Sequence, residues 1–258
     1  MRMIVLDRRL LAAMLLVANL WFCCAASAAD IYDAAVARAG RSADDRQRDV
    51  TDRPADVLRF SGIRPGMQVL DFFAADGYYS EVLSYTVGPK GHVLLLNNTP
   101  YDKFVKDAWK DRIARQHLKN VEHVTVDPAH MGLKDSSLDA VVMVKVYHDL
   151  YWVDPEKSGW PKIDVPSVLD QLASALKPGG LLLVVDHSAK PGSGSSVAGT
   201  LHRIDEEFMR KDFESHGFKF VNKSDLLRRP EDKLDQISFQ EPMLGKTDRF
   251  VYLFRKGG

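Results

Sequence analysis

The stretch VLDFFAADGYYSEVL (residues 69–83) begins as an apolar run, breaks on small residues and an Asp-Gly pair, and restarts as an amphipathic segment. That pattern is a buried strand, a tight turn and a helix. Working outward, further apolar runs cover His92 to Leu96, Val121 to Val126, Ala140 to Val146 and Leu181 to Asp186, with Gln68 to Phe72 as the first. Runs this continuous suit strands covered on both faces, and the segments between them have the length of helical crossovers in a parallel sheet. The expected fold is an α/β doubly wound, Rossmann-like sandwich with a mostly parallel sheet. Gly88-Pro89-Lys90-Gly91 and Lys177-Pro178-Gly179-Gly180 supply turns before the second and fifth runs. Pro191 to Ser196 reads as a loop, and the spacing of Leu201, Ile204, Phe208 and Phe213 predicts one further covering helix. Arg249 to Arg255 alternates weakly and is expected to end the sheet as an antiparallel strand. Residues 29–60 form a helical N-terminal extension, with Pro54 opening a short helix.

The 258 residues hold 45% apolar and 27% charged side chains, ordinary for one globular domain. Basic and acidic residues number 35 each, which excludes the electrostatic footprint of a nucleic-acid binder. Residues 1–28 read as a signal peptide: Arg2, Arg8 and Arg9 precede an apolar run from Leu10 to Cys24, and Ala26-Ser27-Ala28 is a small-residue cleavage pattern. The protein is therefore expected to be exported, periplasmic or secreted, as a domain of residues 29–258. The other reading of the segment is an uncleaved anchor, the only expected membrane contact, since about 20 apolar residues span a bilayer. Cleavage removes three basic residues and one acidic residue, leaving 32 against 34 and a net charge of −2. It also removes Cys23 and Cys24, so the mature chain has neither disulfides nor thiolate ligands.

In an open α/β sheet, ligands sit beyond the carboxyl ends of the strands where strand order reverses. The turn at 71–77 lacks the G-x-G-x-x-G triplet of a nicotinamide site. Its Asp71, Ala74, Ala75, Asp76 and Gly77 instead resemble the D-x-G-x-G-x-G loop of class I S-adenosylmethionine-dependent methyltransferases, with Phe73 and Ala75 in place of two glycines. VGPKGHVLLLN (87–97) and LKPGGLLLVVD (176–186) resemble other landmarks of that superfamily. The resemblance implies S-adenosylmethionine as cofactor. It implies contacts from Asp71, Phe73, Ala74, Ala75, Asp76 and Gly77 to the methionine part, from Asn97 to the ribose and from Asp127 to the adenine. DGYYSEVL, VYHDLYW, VVDHSAKPGSG, LHRIDEEF and GKTDRFVYLF together resemble a narrower group of bacterial methyltransferases that often carry export signals. A small-molecule acceptor is expected. A non-catalytic exported binding module with a degenerate cofactor loop is the alternative, favoured by Phe73, Ala75 and Asn97.

Methyl transfer from a sulfonium is an in-line displacement, so the protein chiefly positions the acceptor and removes its proton. His148 and Asp149 follow the fourth run and His187 ends the fifth, at the cofactor-facing edge; these three are the candidate catalytic residues. The alternatives are that His148 packs over the cofactor or caps the next element, and that His187 only supports its neighbours. Tyr151 and Trp152 are candidate substrate contacts beside Tyr147 and Trp160, and so are His202 and Arg203, whose other reading is a solvated helix start. The Gly245–Arg249 segment reads as a hairpin. His148, Asp149, His187, His202 and Asp205 are plausible ligand types, but no H-x-x-x-H pair enforces a geometry and no metal is expected. An export route through Asp7-Arg8-Arg9-Leu10-Leu11, read as a loose twin-arginine signal, would let the domain load cofactor before crossing.

Overall fold

The structure, a computed structural model, describes residues 31–257. The segment read as a signal peptide, with its expected cleavage pattern and both cysteines, lies outside the described residues. Three helices, α1 (Ile31–Val36), α2 (Ala43–Asp52) and α3 (Pro54–Ser61), precede the sheet. Then follow β1 (Gln68–Phe72), α4 (Tyr78–Val87), β2 (His92–Asn97), α5 (Thr99–Phe104), α6 (Ala108–Gln116), β3 (Val121–Thr125) and β4 (Leu138–Val144). After a 3₁₀ turn at His148–Tyr151 come α7 (Val165–Ala175), β5 (Leu176–His187), α8 (Ala198–Leu201), α9 (Glu206–Ser215), β6 (Phe218–Ser224) and β7 (Arg249–Lys256).

The seven strands lie in the order β3-β2-β1-β4-β5-β7-β6. The first five pair in parallel, and β7 runs antiparallel to both β5 and β6. Strand order reverses at β1, which pairs with β2 on one side and β4 on the other, so Leu70 lies between Leu94 and Val141. Four of the five residues of β1 are buried, as are the last eight of β5. This two-sided burial is why those runs lack alternation. Leu70, Met143, Val184 and Phe254 continue into a cluster with Val168, Leu169 and Leu172 of α7.

Three sequence expectations change. The C-terminal strand is not the edge; β7 is inserted between β5 and β6. The edge strand β6 has mostly exposed residues, including Lys219 and Lys223, and therefore carries too weak an apolar signal to be read beforehand. The tight hairpin expected at Gly245–Arg249 is also absent. Residues 225–248 join β6 to β7, and Thr247, Asp248 and Arg249 are buried where they meet other loops. Finally, the single helix expected over 201–213 is broken. Ile204 exchanges backbone bonds with the end of β5, its N–H donating to the His187 carbonyl and its carbonyl accepting from Ala189. His202 turns left-handed to allow this.

Charged pairs bind the N-terminal helices to the sheet. The Asp52 carboxylate at the end of α2 meets Lys145 at 2.7 Å, Arg249 at 2.6 Å and Arg48 at 2.9 Å. Burial opposes its ionisation, yet these three cations hold the carboxyl far below the ordinary carboxylate range. Arg112 of α6 likewise joins Asp45 of α2 to Asp76 and Glu81 at 2.6–2.7 Å. Breaking a buried pair on one side costs about 3–5 kcal/mol, because the partner charge is left uncompensated. Asp52→Asn is therefore expected to lower the urea-unfolding free energy by about that amount at neutral pH. Because the native carboxyl has the lower pKa, its contribution is complete above the model-peptide value of 3.8 and is lost as pH falls below it. The difference between parent and variant should therefore shrink on acidification; a constant difference would reject this account.

Candidate functional site

The turn after β1 passes through the left-handed region at Phe73 (φ 52°), Ala75 (φ 52°) and Gly77 (φ 79°). A non-glycine residue held there costs about 1–2 kcal/mol, so neighbouring bonds must enforce the shape. Asn97, at the end of β2, supplies two of them. Its Oδ1 accepts from the Ala75 N–H at 2.9 Å and its Nδ2 donates to the Ala75 carbonyl at 2.9 Å. An aspartate at 97 would accept the first bond and could not donate the second. The Ala74 N–H donates to Leu96, tying the turn to β2 once more. Gly77 is required twice over: its φ is positive, and a Cβ there would lie 2.9 Å from Cδ1 of Leu95.

The rim of the turn consists of Ala74, Ala75 and Asp76, all partly exposed, while Phe73 is buried. Its ring packs 5.2 Å from Tyr101 and 5.7 Å from Trp160, centroid to centroid. Asp71 is buried beneath the turn, accepting from the Ser80 hydroxyl at 2.6 Å. Burial raises its pKa to about 7, against the opposing bond from Ser80. Just past β2, Asn98 caps α5 through Oδ1, but its buried Nδ2 has no hydrogen-bond partner. The backbone shape, the small rim and this unmatched donor fit an adenosyl cofactor, which Ala74–Asp76 and Asn98 would hold, with Asp71 supporting the turn from beneath. Asn97 lies in the expected place, yet both ends of its amide are committed to the turn and to Asp102.

The second half of the site forms beyond β4 and β5. Lys145 adopts φ 60° and sends the chain into the 3₁₀ turn that begins at His148. The buried Asp186 carboxylate accepts the His148 backbone N–H at 2.9 Å and lies 2.7 Å from its Nδ1, fixing the ring with Nε2 turned away. That Nε2 is 3.3 Å from Oδ1 of Asp149. Nδ1 of His202 is 3.4 Å from the same oxygen. The other oxygen of Asp149 accepts from the Tyr101 hydroxyl at 2.5 Å, and its carbonyl from the Trp160 indole at 2.9 Å. Burial disfavours the His148 imidazolium, but Asp149 and Asp186 outweigh it and raise the pKa to about 9. Burial pushes the Asp149 carboxyl up, and His148, His202 and Tyr101 bring it below its ordinary value. His187, with its ring centroid 5.9 Å from that of His148, is held neutral by burial and by the neighbouring positive charge. Its Nδ1 lies 2.8 Å from the Thr247 hydroxyl.

The mouth is aromatic. Trp152 stacks on Trp160 at 5.3 Å and meets His202 at 5.0 Å, and Phe239, half exposed, meets His202 at 4.7 Å. The fold thus brings His148, Asp149, His202 and Trp152 together, with His187 behind them. It places others elsewhere. Arg203 is neither a solvated helix start nor open to a ligand: it is fully buried, paired with Asp232 at 2.8 Å and donating to the carbonyls of Ser188 and Gln236. Tyr151 gives its hydroxyl to Asp212 of α9. Asp127 is exposed just past β3 and caps the Ala129 N–H. Asp186, Tyr101, Asn98 and Arg112 escape sequence reading. Only Asp186 leaves a trace there, as a charge closing an apolar run.

The sequence model of the family described as "Methyltransferase domain" matches residues 63–256. The ubiquinone/menaquinone biosynthesis C-methyltransferase UbiE of Shewanella oneidensis is 26% identical over 183 residues, 70% of this chain and 62% of that protein. Its counterpart from Shewanella baltica is 25% identical over the same shares. This chain thus spans less than two thirds of those relatives. Among solved structures, a SAM-dependent methyltransferase from Aquifex aeolicus superposes with a TM-score of 0.57 at 20% identity, covering 79% of this chain and 89% of that one. The [4+2]-cyclase SpnF reaches a TM-score of 0.59 at 14% identity, covering 86% of each chain.

One titration follows from the turn. Asp71 keeps its proton to about pH 7 in the folded state, against 3.8 for an ordinary aspartate, so folding binds a proton between those values. Its contribution to stability is expected to fall as pH rises through that window, and Asp71→Asn should flatten this slope in urea unfolding. An unchanged slope would place the titration elsewhere. Left-handed turn, β1 switch point and family match agree, and the chain belongs to the methyltransferase-domain family, the class I methyltransferases whose cofactor is S-adenosylmethionine.

Proposed function

We propose that this enzyme methylates a small aromatic molecule bearing an ionisable hydroxyl. The observation that carries the reading is the buried His148–Asp149–His202 group set under an aromatic wall of Trp152, Trp160 and Phe239. A flat acceptor ring matches the wall, and its hydroxyl matches the polar group at the base. The UbiE relatives, named as C-methyltransferases of quinone biosynthesis, support an acceptor of this kind. S-adenosylmethionine supplies an electrophilic methyl group on a sulfonium when bound.

The residues of this chain do the rest. Asp149, ionised and anchored by Tyr101, orients the hydroxyl. His202, the least buried member of the cluster, receives its proton, and the phenolate then directs electron density to the ring oxygen or carbon that forms the new bond; a methylated ring carbon then releases its own proton to solvent. The bound cofactor would give up its methyl group and keep the electron pair of the carbon–sulfur bond. Holding the partners in line supplies on the order of 7–11 kcal/mol of the barrier, and proton removal about 10²- to 10⁴-fold in rate.

Purified protein supplied with tritiated cofactor should transfer label to 1,4-naphthalenediol or catechol. Asp149→Asn should lower kcat by about 10²- to 10⁴-fold with a smaller change in KM. Cofactor binding in calorimetry without label in either ring, and with label in an aliphatic amine or carboxylate, would overturn the acceptor class.

Export of the enzyme is part of the same proposal and rests on residues 1–28. Replacing Arg8 and Arg9 by lysine should stop secretion if the folded domain crosses loaded with cofactor. Continued secretion would reject the twin-arginine route.

A further inference from the structure

We propose that His148, Asp149 and His202 bind a divalent transition-metal cation. One donor atom from each residue lies within 4.8 Å of the others. The two measured edges, 3.3 Å from His148 Nε2 to Asp149 Oδ1 and 3.4 Å from His202 Nδ1 to the same oxygen, suit donors sharing one cation. With metal–ligand bonds of about 2.0–2.2 Å at tetrahedral angles, such edges are about 3.3–3.6 Å. Histidine nitrogen with one carboxylate oxygen is the donor set of zinc, manganese, iron or cobalt rather than of calcium, and binding of the cation displaces the proton that Nε2 of His148 otherwise carries against Asp149.

Support behind the donors points the same way. Metal-ligating histidines usually give their second nitrogen to a carboxylate, which fixes the ring and strengthens the donor. Asp186 holds Nδ1 of His148 at 2.7 Å, and Tyr101 holds the remaining oxygen of Asp149 at 2.5 Å. His202 is delivered by a left-handed residue (φ 49°) ending α8 and wedged between Trp152 and Phe239. The ligand spacing is therefore invisible along the chain: the third donor arrives from a different crossover, which is why sequence spacing predicts no metal.

Three protein donors leave coordination positions open toward the aromatic mouth. With the cation bound, His202 serves as ligand in place of base: a hydroxyl oxygen bound there would give its proton to solvent, the cation stabilising the oxygen's negative charge. Use of the cation in this way rests on the proposed acceptor; binding of the cation does not.

The test is titration of chelator-treated, folded protein with Co²⁺ alone, read by calorimetry and visible absorption. One equivalent is expected to bind. Asp186→Asn should weaken binding by about 10- to 100-fold, and His202→Ala should abolish the absorption band. His216→Ala, in an exposed pair with Asp170, should change nothing. Absence of binding to the parent protein, or equal binding by His202→Ala and Asp149→Asn variants of native circular dichroism, would overturn the site. Label transfer that survives chelation without Co²⁺ binding sinks the cation and leaves the methyl-transfer reading intact. One-to-one Co²⁺ binding without any label transfer has the opposite outcome.

Discussion

Everything at the cofactor end of this protein depends on a backbone that turns left-handed at two residues that are not glycine. Phe73 and Ala75 adopt φ 52° because the Asn97 amide grips Ala75 from both sides while Gly77 lets the following helix approach Leu95. The strain is local and the restraint is tertiary. A loop missing two glycines keeps the contour that glycines normally allow, with β2 supplying what intrinsic freedom would otherwise supply. Phe73 then turns a liability into packing, since its ring closes the aromatic cluster of Tyr101 and Trp160. Degeneracy in the glycine pattern therefore does not imply a collapsed turn, and the alternative of a non-catalytic module loses its main support.

The opposite wall of the site is built on buried carboxylates. Asp149 follows β4 and Asp186 lies near the end of the adjacent strand β5, each satisfied by several donors, and between them they fix the ring of His148. Such networks are worth having only when complete, because an unpaired buried charge costs several kcal/mol. Here each oxygen of Asp186 takes a backbone N–H, from His148 and His187, as well as serving the imidazole. The result is a polar floor that cannot relax when a ligand arrives, the condition for preorganised chemistry.

How much of this was legible in the sequence depends on the range of the interactions. The parallel core was readable because β1, β4 and β5 are buried on both faces and show it as unbroken apolar runs. The location of the site was readable because β1 flanks the point where strand order reverses. His148 and Asp149 follow β4 and so could be named in advance. Edge strand β6 could not, since its solvent-facing residues blur the pattern. Arg203 misled for a related reason. A charged residue beside a helix start reads as solvated, and only the long connection carrying Asp232 buries it. Tyr101 and Arg112 act entirely through partners distant in sequence, which no local pattern records.

The ion pairs at Asp52 and Asp45 have a consequence for what counts as the domain. Similarity to the family begins at residue 63, yet Lys145, Arg249 and Arg112 all find anions on α2, which ends eleven residues earlier, at Asp52. A fragment trimmed to the region of homology would strand Lys145 and Arg249 and leave Arg112 with two of its three carboxylates. The smallest autonomous folding unit is therefore larger than its evolutionary signature, and expression boundaries belong upstream of Ser42, whose side chain caps that helix.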